Sequence, residues 1–344
     1  MKVLVAMSGG VDSSVAAALL AGAGHDVTGA TMKLWGGASD TGCCSVADVD
    51  DARRVAHQLG IDHFTFGFSD DFEADVVEPY VAAHAAGRTP NPCIECNRHL
   101  KFDRFLRRAD ALGFDAIATG HHARVTAGDG RWRLRRGADP AKDQSYVLHV
   151  LGQAALARTL LPVGDLTKAE VRARAIALGL RTATKADSQD VCFITATGGR
   201  QAFLEPRLRL TPGRVLDSDG AQVGTVPAVQ LVTIGQRRGL GLRGGGAPRF
   251  ATAVDVAAGT VTVGSAADLL VGEVAVEQVT WVGDPASGRV DVQVSAHGTA
   301  FPAHVTSEGD RVAVRPDDPV RRVAAGQSVV LYRGDEVLGG GLAA

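Results

Sequence analysis

The stretch MSGGVDSS, residues Met7 to Ser14, follows a short apolar run at residues 3–6 and leads into a segment with helical spacing. A buried strand that passes through two adjacent glycines into a helix places backbone N–H groups at a helix N-terminus, where anions bind. The stretch lacks the Gly-Lys-Ser/Thr ending of the nucleoside-triphosphatase P-loop and the spacing of the Rossmann fingerprint. It therefore predicts a phosphate-binding loop of another class, with a tight serine-capped turn as the alternative.

Apolar periodicity predicts the elements around this loop. Strands are expected at residues 3–6, 26–34, 61–66, 114–119 and 191–194, and helices at 11–22, 46–59, 72–85, 97–112, 144–151 and 168–178. Alternating strands and helices are typical of a doubly wound parallel sheet, which makes the fold class α/β. A hairpin is expected around Gly128-Asp129-Gly130.

The character of the sequence changes after about residue 206. Val-rich runs then alternate with Gly and Pro as far as residue 344, a pattern typical of small β-barrels. We expect a catalytic α/β domain over 1–205, a small β-rich central domain over 206–269 and a C-terminal β-barrel over 270–344.

Composition limits the classes of partner. The net charge of −2 excludes a global basic field, although basic residues cluster at 98–108 and 131–136 and are interpreted first as solvated faces. No signal peptide is visible and no apolar stretch is long enough to span a membrane. Five cysteines, an odd count, favour a reducing compartment. We expect a cytoplasmic protein.

The pattern S-G-G-x-D-S resembles the loop of the ATP pyrophosphatase (PP-loop) superfamily, which binds the pyrophosphate of ATP while a substrate oxygen is adenylated. The resemblance implies ATP contacts from Ala6, Met7, Ser8, Gly9, Gly10, Val11, Asp12 and Ser13.

Asp12 has a second predicted role, and two further residues are predicted to serve the nucleotide. Asp12 is expected to bind Mg²⁺ on the phosphates, directly or through water, and the alternative is a charge that satisfies the helix dipole. Met32 lies near the end of the second expected strand and Gly120 just past the fourth, and the carboxyl ends of these strands share one edge of the sheet, so we expect both to border the adenosine. For Met32 a plain core position is an equal alternative.

The cysteines carry the second signal. In TPNPCIECNRHLKF, residues 89–102, Cys93 and Cys96 precede an expected helix, and a helix N-terminus with nearby basic side chains lowers a thiol pKa. Cys192 stands alone in KADSQDVCFI. A C-x-x-C pair alone fits zinc, redox or inert cysteines, and no matching second pair exists. The adjacent Cys43 and Cys44 are expected to be structural or incidental.

Several motifs in order resemble one family along essentially the whole chain, the bacterial tRNA-specific 2-thiouridylases. They are MSGGVDSS, RTPNPC, ATGHHAR, AKDQSYVL, PVGDLTKAEVR, KADSQDVCFI, TIGQRRGLGL and GQSVVLY. The resemblance implies thiolation of carbon 2 of the wobble uridine in Lys, Glu and Gln tRNAs, after ATP adenylates the C2 oxygen.

The resemblance also implies roles for the cysteines and for partners. Cys192 matches the cysteine that carries a persulfide, and Cys96 matches the nucleophile that helps to release its sulfur, after which the two form a disulfide. A sulfur donor such as a cysteine desulfurase or relay protein is an implied partner, and a monomer is the expected oligomeric state.

Residues that match the tRNA-contacting positions of the family are Asn91, Pro92, Cys93, His121, Lys142, Asp143, Gln144 and Gln327. The alternative for His121 is a core or helix-cap histidine, and for Lys142 an ordinary surface lysine. With tRNA as substrate, the two basic clusters become expected phosphate contacts.

The chain departs from the family at three places. Many members have Asp where this chain has Cys93, and with Cys93, Cys96 and Cys192 the three thiols could hold an iron–sulfur cluster with one open iron. Persulfide and cluster therefore stay open as alternatives. Residues 224–228 and 296–297 also differ from the family pattern, and these differences concern the tRNA contact rather than adenylation.

Two other functions are compatible with a nucleotide loop. An argininosuccinate or GMP synthetase of the same superfamily adenylates carbonyl oxygens but needs no reactive cysteine pair, so the three thiols and the β-rich half argue against it. A non-catalytic RNA-binding or redox-sensing protein is the second alternative.

Overall fold

We describe the protein from a computed structural model, which covers residues 1–34, 45–187, 191–194, 198–244, 246–309 and 311–344. Cys43 and Cys44 lie outside the described residues.

The described residues form strands and helices in the expected alternation. The strands are β1 (Lys2–Ala6), β2 (Asp26–Lys33), β3 (Asp62–Gly67), β4 (Ala116–Ala118), β5 (Ala123–Gly128), β6 (Arg131–Arg136), β7 (Thr159–Leu160), β8 (Gly213–Leu216), β9 (Gln222–Val226), β10 (Phe250–Asp255), β11 (Thr260–Gly264), β12 (Leu270–Val271), β13 (Val274–Trp281), β14 (Gly288–Gln293), β15 (Phe301–Glu308), β16 (Arg311–Pro316), β17 (Val320–Arg321), β18 (Ser328–Arg333) and β19 (Glu336–Ala343). The shorter helices are α1 (Val11–Gly22), α2 (Val46–Leu59), Gln153–Leu156, Lys168–Ala177 and Gly199–Leu204.

Two longer helices each contain a π-helical stretch. The first, helix 69–85, runs through Ser69–Phe72, Glu73–Val77 and Glu78–Ala85, and the second, helix 92–111, through Pro92–Glu95, Cys96–Arg104 and Phe105–Ala111. Both begin earlier than the periodicity predicts. π-helical turns are rare in proteins, but those that occur are often found at functional sites. The second π-helical stretch begins at Cys96.

A five-stranded parallel sheet in the order β3-β2-β1-β4-β7 forms the centre of the first half. Side chains alternate across β1: Val3 and Val5 pack towards α1, α2 and the helix Lys168–Ala177, whereas Leu4 packs towards the long helices. Both faces are covered, which confirms the doubly wound α/β class.

The strand order reverses between β1 and β4, because β2 lies on one side of them and β7 on the other. Ligands of such sheets bind in the crevice at the carboxyl ends of the strands at this point. The glycine loop follows β1 and Gly120 follows β4, so the fold brings both to that crevice.

The second half is β-rich, as predicted. Residues 213–264 form a four-stranded sheet in the order β10-β11-β8-β9. Beyond it, β13-β16-β15-β14-β18-β19 close into a barrel through pairing of β13 with β19.

The expected hairpin forms as β5–β6, and it also joins the sheet of the barrel. Its second strand pairs with β19 of the barrel, with Leu134 opposite Val337. Leu134 and Val337 are buried together with Tyr332 in the hydrophobic cluster that also covers one face of the parallel sheet. The barrel and the first half therefore share a core.

Two expected elements are wrong. Residues 144–151 contain only a 3₁₀ turn, Ser145–Leu148, because tertiary contacts take its polar groups: Asp143 accepts the Ser145 N–H, and the Tyr146 hydroxyl donates to the carbonyl of Ser328. Residues 191–194 form a turn in which the Ile194 N–H donates to the Val191 carbonyl, and Phe193 packs against Tyr80. That apolar run reflects burial and not a strand.

Buried histidines lie where the domains meet. Nδ1 of His84 donates to the carbonyl of Gln230 at 3.3 Å, and Nδ1 of His149 to the carbonyl of Tyr146 at 2.8 Å. Burial lowers the pKa of each imidazole to about 4, so both are neutral near pH 7.

Replacing Leu134 with Ala should destabilise the protein by about 2–5 kcal/mol, because a fully buried leucine is removed from the contact between hairpin and barrel. Leu112→Ala is the matched control, since Leu112 is 50% exposed and its loss should change the free energy of unfolding by less than about 0.5 kcal/mol. Urea denaturation measures both values, and equal effects would contradict the shared core.

Acidification should destabilise the folded chain between about pH 6.5 and 4, because the unfolded state then binds protons that buried His84 and His149 do not. Each histidine contributes about 2 kcal/mol of loss between pH 7 and 5. His84→Gln should reduce the slope of unfolding free energy against pH, and an unchanged slope would show that His84 is not the titrating group.

Candidate functional site

The glycine loop is set by a backbone contact with α2. Gly9 has a φ of +72°, and a Cβ at this residue would lie 2.2 Å from the carbonyl oxygen of Asp48. Gly10 adopts an extended conformation with a φ of −91° and stands directly before α1. The first N–H groups of α1 therefore face the crevice beyond the end of β1.

The serines of the loop divide into two kinds. The hydroxyls of Ser13 and Ser14 donate to the carbonyl of Gly10, at 3.2 and 2.8 Å, so they stabilise the turn. Ser8 is exposed at the crevice side of the loop. The Ser8 hydroxyl lies 3.4 Å from that of Ser13, and the Ser8 N–H donates to the Ser13 hydroxyl at 3.2 Å, so Ser13 stabilises the loop while Ser8 keeps an exposed side chain.

Lys185 holds the loop against α2. Its Nζ donates to the carbonyl of Gly9 at 2.9 Å and to the carboxylates of Asp48 and Asp51 at 2.6 and 2.8 Å. Ser45 caps α2 in a capping box with Asp48. The contact that requires glycine at Gly9 is therefore reinforced by three hydrogen bonds from one ammonium group.

Asp12, in the first turn of α1, is a charged carboxylate. Burial raises the pKa of this carboxyl, but hydrogen bonds from His122 and Lys168 and the positive charge of Lys168 outweigh burial and hold the pKa below its usual value. Lys168 Nζ lies 2.8 and 2.7 Å from the two carboxylate oxygens, and His122 Nε2 lies 3.1 Å from one of them.

Gly120 brings β4 directly onto α1. A Cβ at Gly120 would lie 2.5 Å from the backbone nitrogen of Ser13, so no other residue fits without displacing the first turn of α1. Met32, the other predicted adenosine neighbour, is partly buried near the end of β2 and packs against the core. Both lie on elements that end at the crevice.

His121 connects the crevice to helix 92–111. Its Nδ1 lies 2.7 Å from the hydroxyl of Thr119, and its ring lies 5.7 Å from that of Phe102. Burial, with a smaller effect of the Lys101 charge, lowers the pKa of His121 to about 3, so the imidazole is neutral near pH 7. A neutral ring can contact an uncharged base but supplies no positive charge to RNA.

The three cysteines differ in exposure. Cys93 is exposed, Cys96 is buried and Cys192 is partly buried, and the last two pack on one hydrophobic cluster. The Asn91 side chain accepts the N–H of Cys93 at 3.1 Å and so caps helix 92–111.

No three His, Cys, Asp or Glu side chains are gathered for a metal ion within the part of the chain that the structure describes.

The segment before the cysteines is held by the barrel. Arg88 pairs with Glu277, and the Thr89 N–H donates to the carbonyl of Ala325 at 2.7 Å. Gln327 completes that barrel turn, since its side-chain oxygen accepts the N–H of Ala324 at 3.3 Å. Gln327, one of the residues predicted to contact tRNA, thus lies in the barrel turn that contacts the segment before Cys93.

The run Lys142-Asp143-Gln144 lies against the nucleotide loop. The Gln144 side chain accepts the N–H of His122 at 2.8 Å, and His122 in turn contacts Asp12. Lys142 Nζ lies 2.7 Å from Asp187, and the Lys142 side chain is 40% exposed. Two hydrogen bonds, both made by His122, therefore connect the run predicted to touch tRNA with the predicted phosphate-binding loop.

Asp143 is a structural residue in this arrangement. Its side chain is 7% exposed, pairs with Arg136 and accepts the N–H of Gly137 at 2.9 Å. A cavity of about 450 Å³ opens beside it, between the first half and the barrel, and includes the unusual residue His297. Asp143 thus shapes the wall of this cavity.

Four polar residues of the site were not predicted: His122, Lys168, Lys185 and Asp187. All four lie in quoted motifs, but only their closeness to the loop in space gives them a role. The one available signal was the absence of any Lys or Arg from residues 7–14, which requires cations from elsewhere.

Comparison with known proteins adds three domain matches. Residues 1–196 match the model "tRNA methyl transferase HUP domain", residues 201–265 the "tRNA methyl transferase PRC-barrel domain" and residues 271–343 the "Aminomethyltransferase beta-barrel domain".

Curated relatives match nearly the full length. The tRNA-specific 2-thiouridylase MnmA of Mycobacteroides abscessus is 48% identical over 98% of this chain and 98% of its own length. The protein of the same name from Chloroflexus aurantiacus is 48% identical over 99% of this chain and 97% of its own. Among solved structures, a 4-thiouridine synthetase–RNA complex with bound ATP matches 56% of this chain and 44% of that one, at 16% identity and a TM-score of 0.38.

Gly9→Ala should destabilise the protein by several kcal/mol, because the new methyl group meets the Asp48 carbonyl and the residue keeps a positive φ. Gly10→Ala is the matched control: its φ is ordinary and its Cβ would meet only the Ser8 hydroxyl, at 3.4 Å. Thermal unfolding compares the two, and similar melting temperatures would refute the packing of the loop on α2.

Proposed function

Because this chain belongs to the family of bacterial tRNA-specific 2-thiouridylases, an ATP-using class of tRNA sulfurtransferases, we propose that it thiolates the wobble uridine through Asp12, Cys96 and Cys192. The observation that supports this assignment most is a chain of contacts at the crevice. Asp12 of the glycine loop contacts His122, which contacts Gln144 of the segment predicted to touch tRNA.

The nucleotide fits the crevice. Glycine is required at Gly9 and Gly120, and the N–H groups at the start of α1 are placed for phosphate oxygens. We propose that residues Ala6 to Ser13 hold the pyrophosphate, and that Met32 and Gly120 flank the adenosine. ATP, when bound, supplies the adenylyl group that makes the C2 oxygen a good leaving group.

Asp12 is the proposed Mg²⁺ ligand. Magnesium in phosphate sites commonly uses one or two carboxylates together with phosphates and water, and Asp12 is a charged carboxylate at the required place. In the structure its oxygens are occupied by Lys168 and His122. Metal binding at Asp12 therefore requires that Lys168 find another partner.

Sulfur transfer is assigned to Cys192 and Cys96. We propose that the terminal sulfur of a Cys192 persulfide bonds to carbon 2 of the base, and that AMP leaves with the C2 oxygen. The Cys96 thiolate attacks Sγ of Cys192, which breaks the S–S bond and leaves a Cys96–Cys192 disulfide. A reductant of the dithiol class then restores both thiols.

The local structure suits Cys96 to this role. It lies in the first turns of helix 92–111, at the start of the π-helical stretch Cys96–Arg104. Its burial shields the thiolate from unrelated oxidants.

The persulfide route is proposed because Cys192 and Cys96 match the sulfur-carrying and nucleophilic cysteines of the family. The alternative has clear consequences. A cluster on Cys93, Cys96 and Cys192 would give visible absorption and bound iron in anaerobically purified protein, and Cys93→Ala would abolish thiolation.

The tRNA partner is assigned to the crevice and to the surfaces around it. We propose that Asn91, Pro92 and Cys93 face the target base, while Lys142, Gln144 and the neutral His121 line its entry. An anticodon loop is single-stranded, so a base can enter a pocket without opening a duplex. The sulfur donor would reach Cys192 at the same side.

We further propose that the chain acts as a monomer in the cytoplasm. No helix in the described ranges has the length and apolar character needed to cross a bilayer.

Cys192→Ser should abolish 2-thiouridine formation and leave tRNA-dependent pyrophosphate release in place, because the variant loses the sulfur carrier and keeps the nucleotide loop. Mass spectrometry of tRNA nucleosides and a pyrophosphate assay measure the two steps. Cys93→Ala separates the two routes: in the persulfide route it removes a contact to the base but leaves thiolation measurable. Loss of thiolation in Cys93→Ala together with bound iron would replace the persulfide route by the cluster, and full thiolation by Cys192→Ser would remove Cys192 from the reaction.

A further inference from the structure

The glycine loop has no positive charge of its own. Residues 7–14 contain one acid, Asp12, and no Lys or Arg. A triphosphate carries several negative charges, which proteins stabilise with backbone N–H groups, Mg²⁺ and charged side chains. The cations that reach α1 from other elements are therefore candidates for further nucleotide contacts.

Lys168 reaches the loop from another helix. Its Nζ lies within 2.8 Å of both carboxylate oxygens of Asp12 and 2.9 Å from Asp187. The Lys168 side chain is 12% exposed, so little water replaces a lost partner. A capping box of Thr167 and Glu170 fixes the start of the helix, and the Asp139 carboxylate accepts the Lys168 N–H at 2.9 Å.

Asp187 does not depend on Lys168 for neutralisation. Lys142 donates to one oxygen of Asp187 at 2.7 Å, and Arg172 donates to the other at 2.8 Å. If Lys168 moves away from Asp187, the Asp187 carboxylate therefore still has two cationic partners, Lys142 and Arg172. Asp187 is placed to keep the Lys168 ammonium beside the loop.

We propose that Lys168 is a phosphate-binding residue of the nucleotide site, positioned by Asp187, and this inference rests on the proposed function. When Asp12 turns to Mg²⁺, the largely buried ammonium of Lys168 keeps Asp187 but loses its other carboxylate partner, and the loss of a partner at such a site is costly. A phosphate oxygen at the start of α1 replaces that partner. Lys168 thus supplies from a distant helix the charge that P-loop enzymes carry within the loop.

Isothermal titration calorimetry without tRNA tests the assignment with three probes: MgATP, magnesium pyrophosphate and AMP. Lys168→Met should weaken MgATP and pyrophosphate by about tenfold or more, the size expected for a charge-assisted hydrogen bond. AMP, which lacks the β and γ phosphates, should change by less than about threefold. Lys168→Arg should keep most of the affinity for MgATP, because it restores the charge.

Arg172→Met is the matched control. Arg172 contacts Asp187 and the carbonyl of Ala183 and makes no contact with Asp12 among the described residues, so all three probes should bind as in the wild type. Thermal unfolding checks each variant, and Lys168→Gln, which keeps a hydrogen bond to Asp12, replaces Lys168→Met if that variant does not fold.

Two results would overturn the proposal. Binding of MgATP to Lys168→Met as tight as to the wild type, or tighter, means that Lys168 only blocks Asp12, and equal loss for all three probes means that it supports the fold. The proposed function fails separately, when the wild type itself binds neither MgATP nor pyrophosphate.

Discussion

The site depends on the close approach of three backbones at the start of α1. Gly9 touches the carbonyl of Asp48 on one side of that turn, and Gly120 touches the backbone of Ser13 on the other. With no side chains between them, the loop, α2 and the end of β4 fix the direction of the first N–H groups of α1. Asp12 then projects to the place where His122 and Lys168 meet it.

The barrel completes the catalytic half. It holds the segment before Cys93 through Arg88 and Thr89, and it contacts Tyr146, two residues beyond the run predicted to touch tRNA. Arg136 lies 3.7 Å above the ring of Tyr332, so the hairpin is joined to the barrel by a cation–π contact as well as by strand pairing. The two segments assigned to the substrate thus have fixed positions relative to each other only when the barrel is in place.

Local patterns predicted most of the fold, and long-range contacts account for what they missed. The parallel sheet, α1 and the β-rich half follow from periodicity and turn residues, which are properties of neighbouring residues. The turn at Val191 to Ile194 has the composition of a strand, and only the aromatic rings around Phe193 explain its burial. Likewise, the loop motif identified Asp12, but Lys168 is 156 residues away and no spacing rule connects the two.

The pairing of β6 with β19 has a consequence for synthesis on the ribosome. Residues 131–136 emerge about 200 residues before their partner at 336–337, so the nascent first half displays an open strand edge and an unfilled apolar recess around Leu134. Exposed edges invite pairing with other chains. The strand β6 reads RWRLRR, and the like charges of its arginines oppose the pairing of two copies at this edge while translation continues.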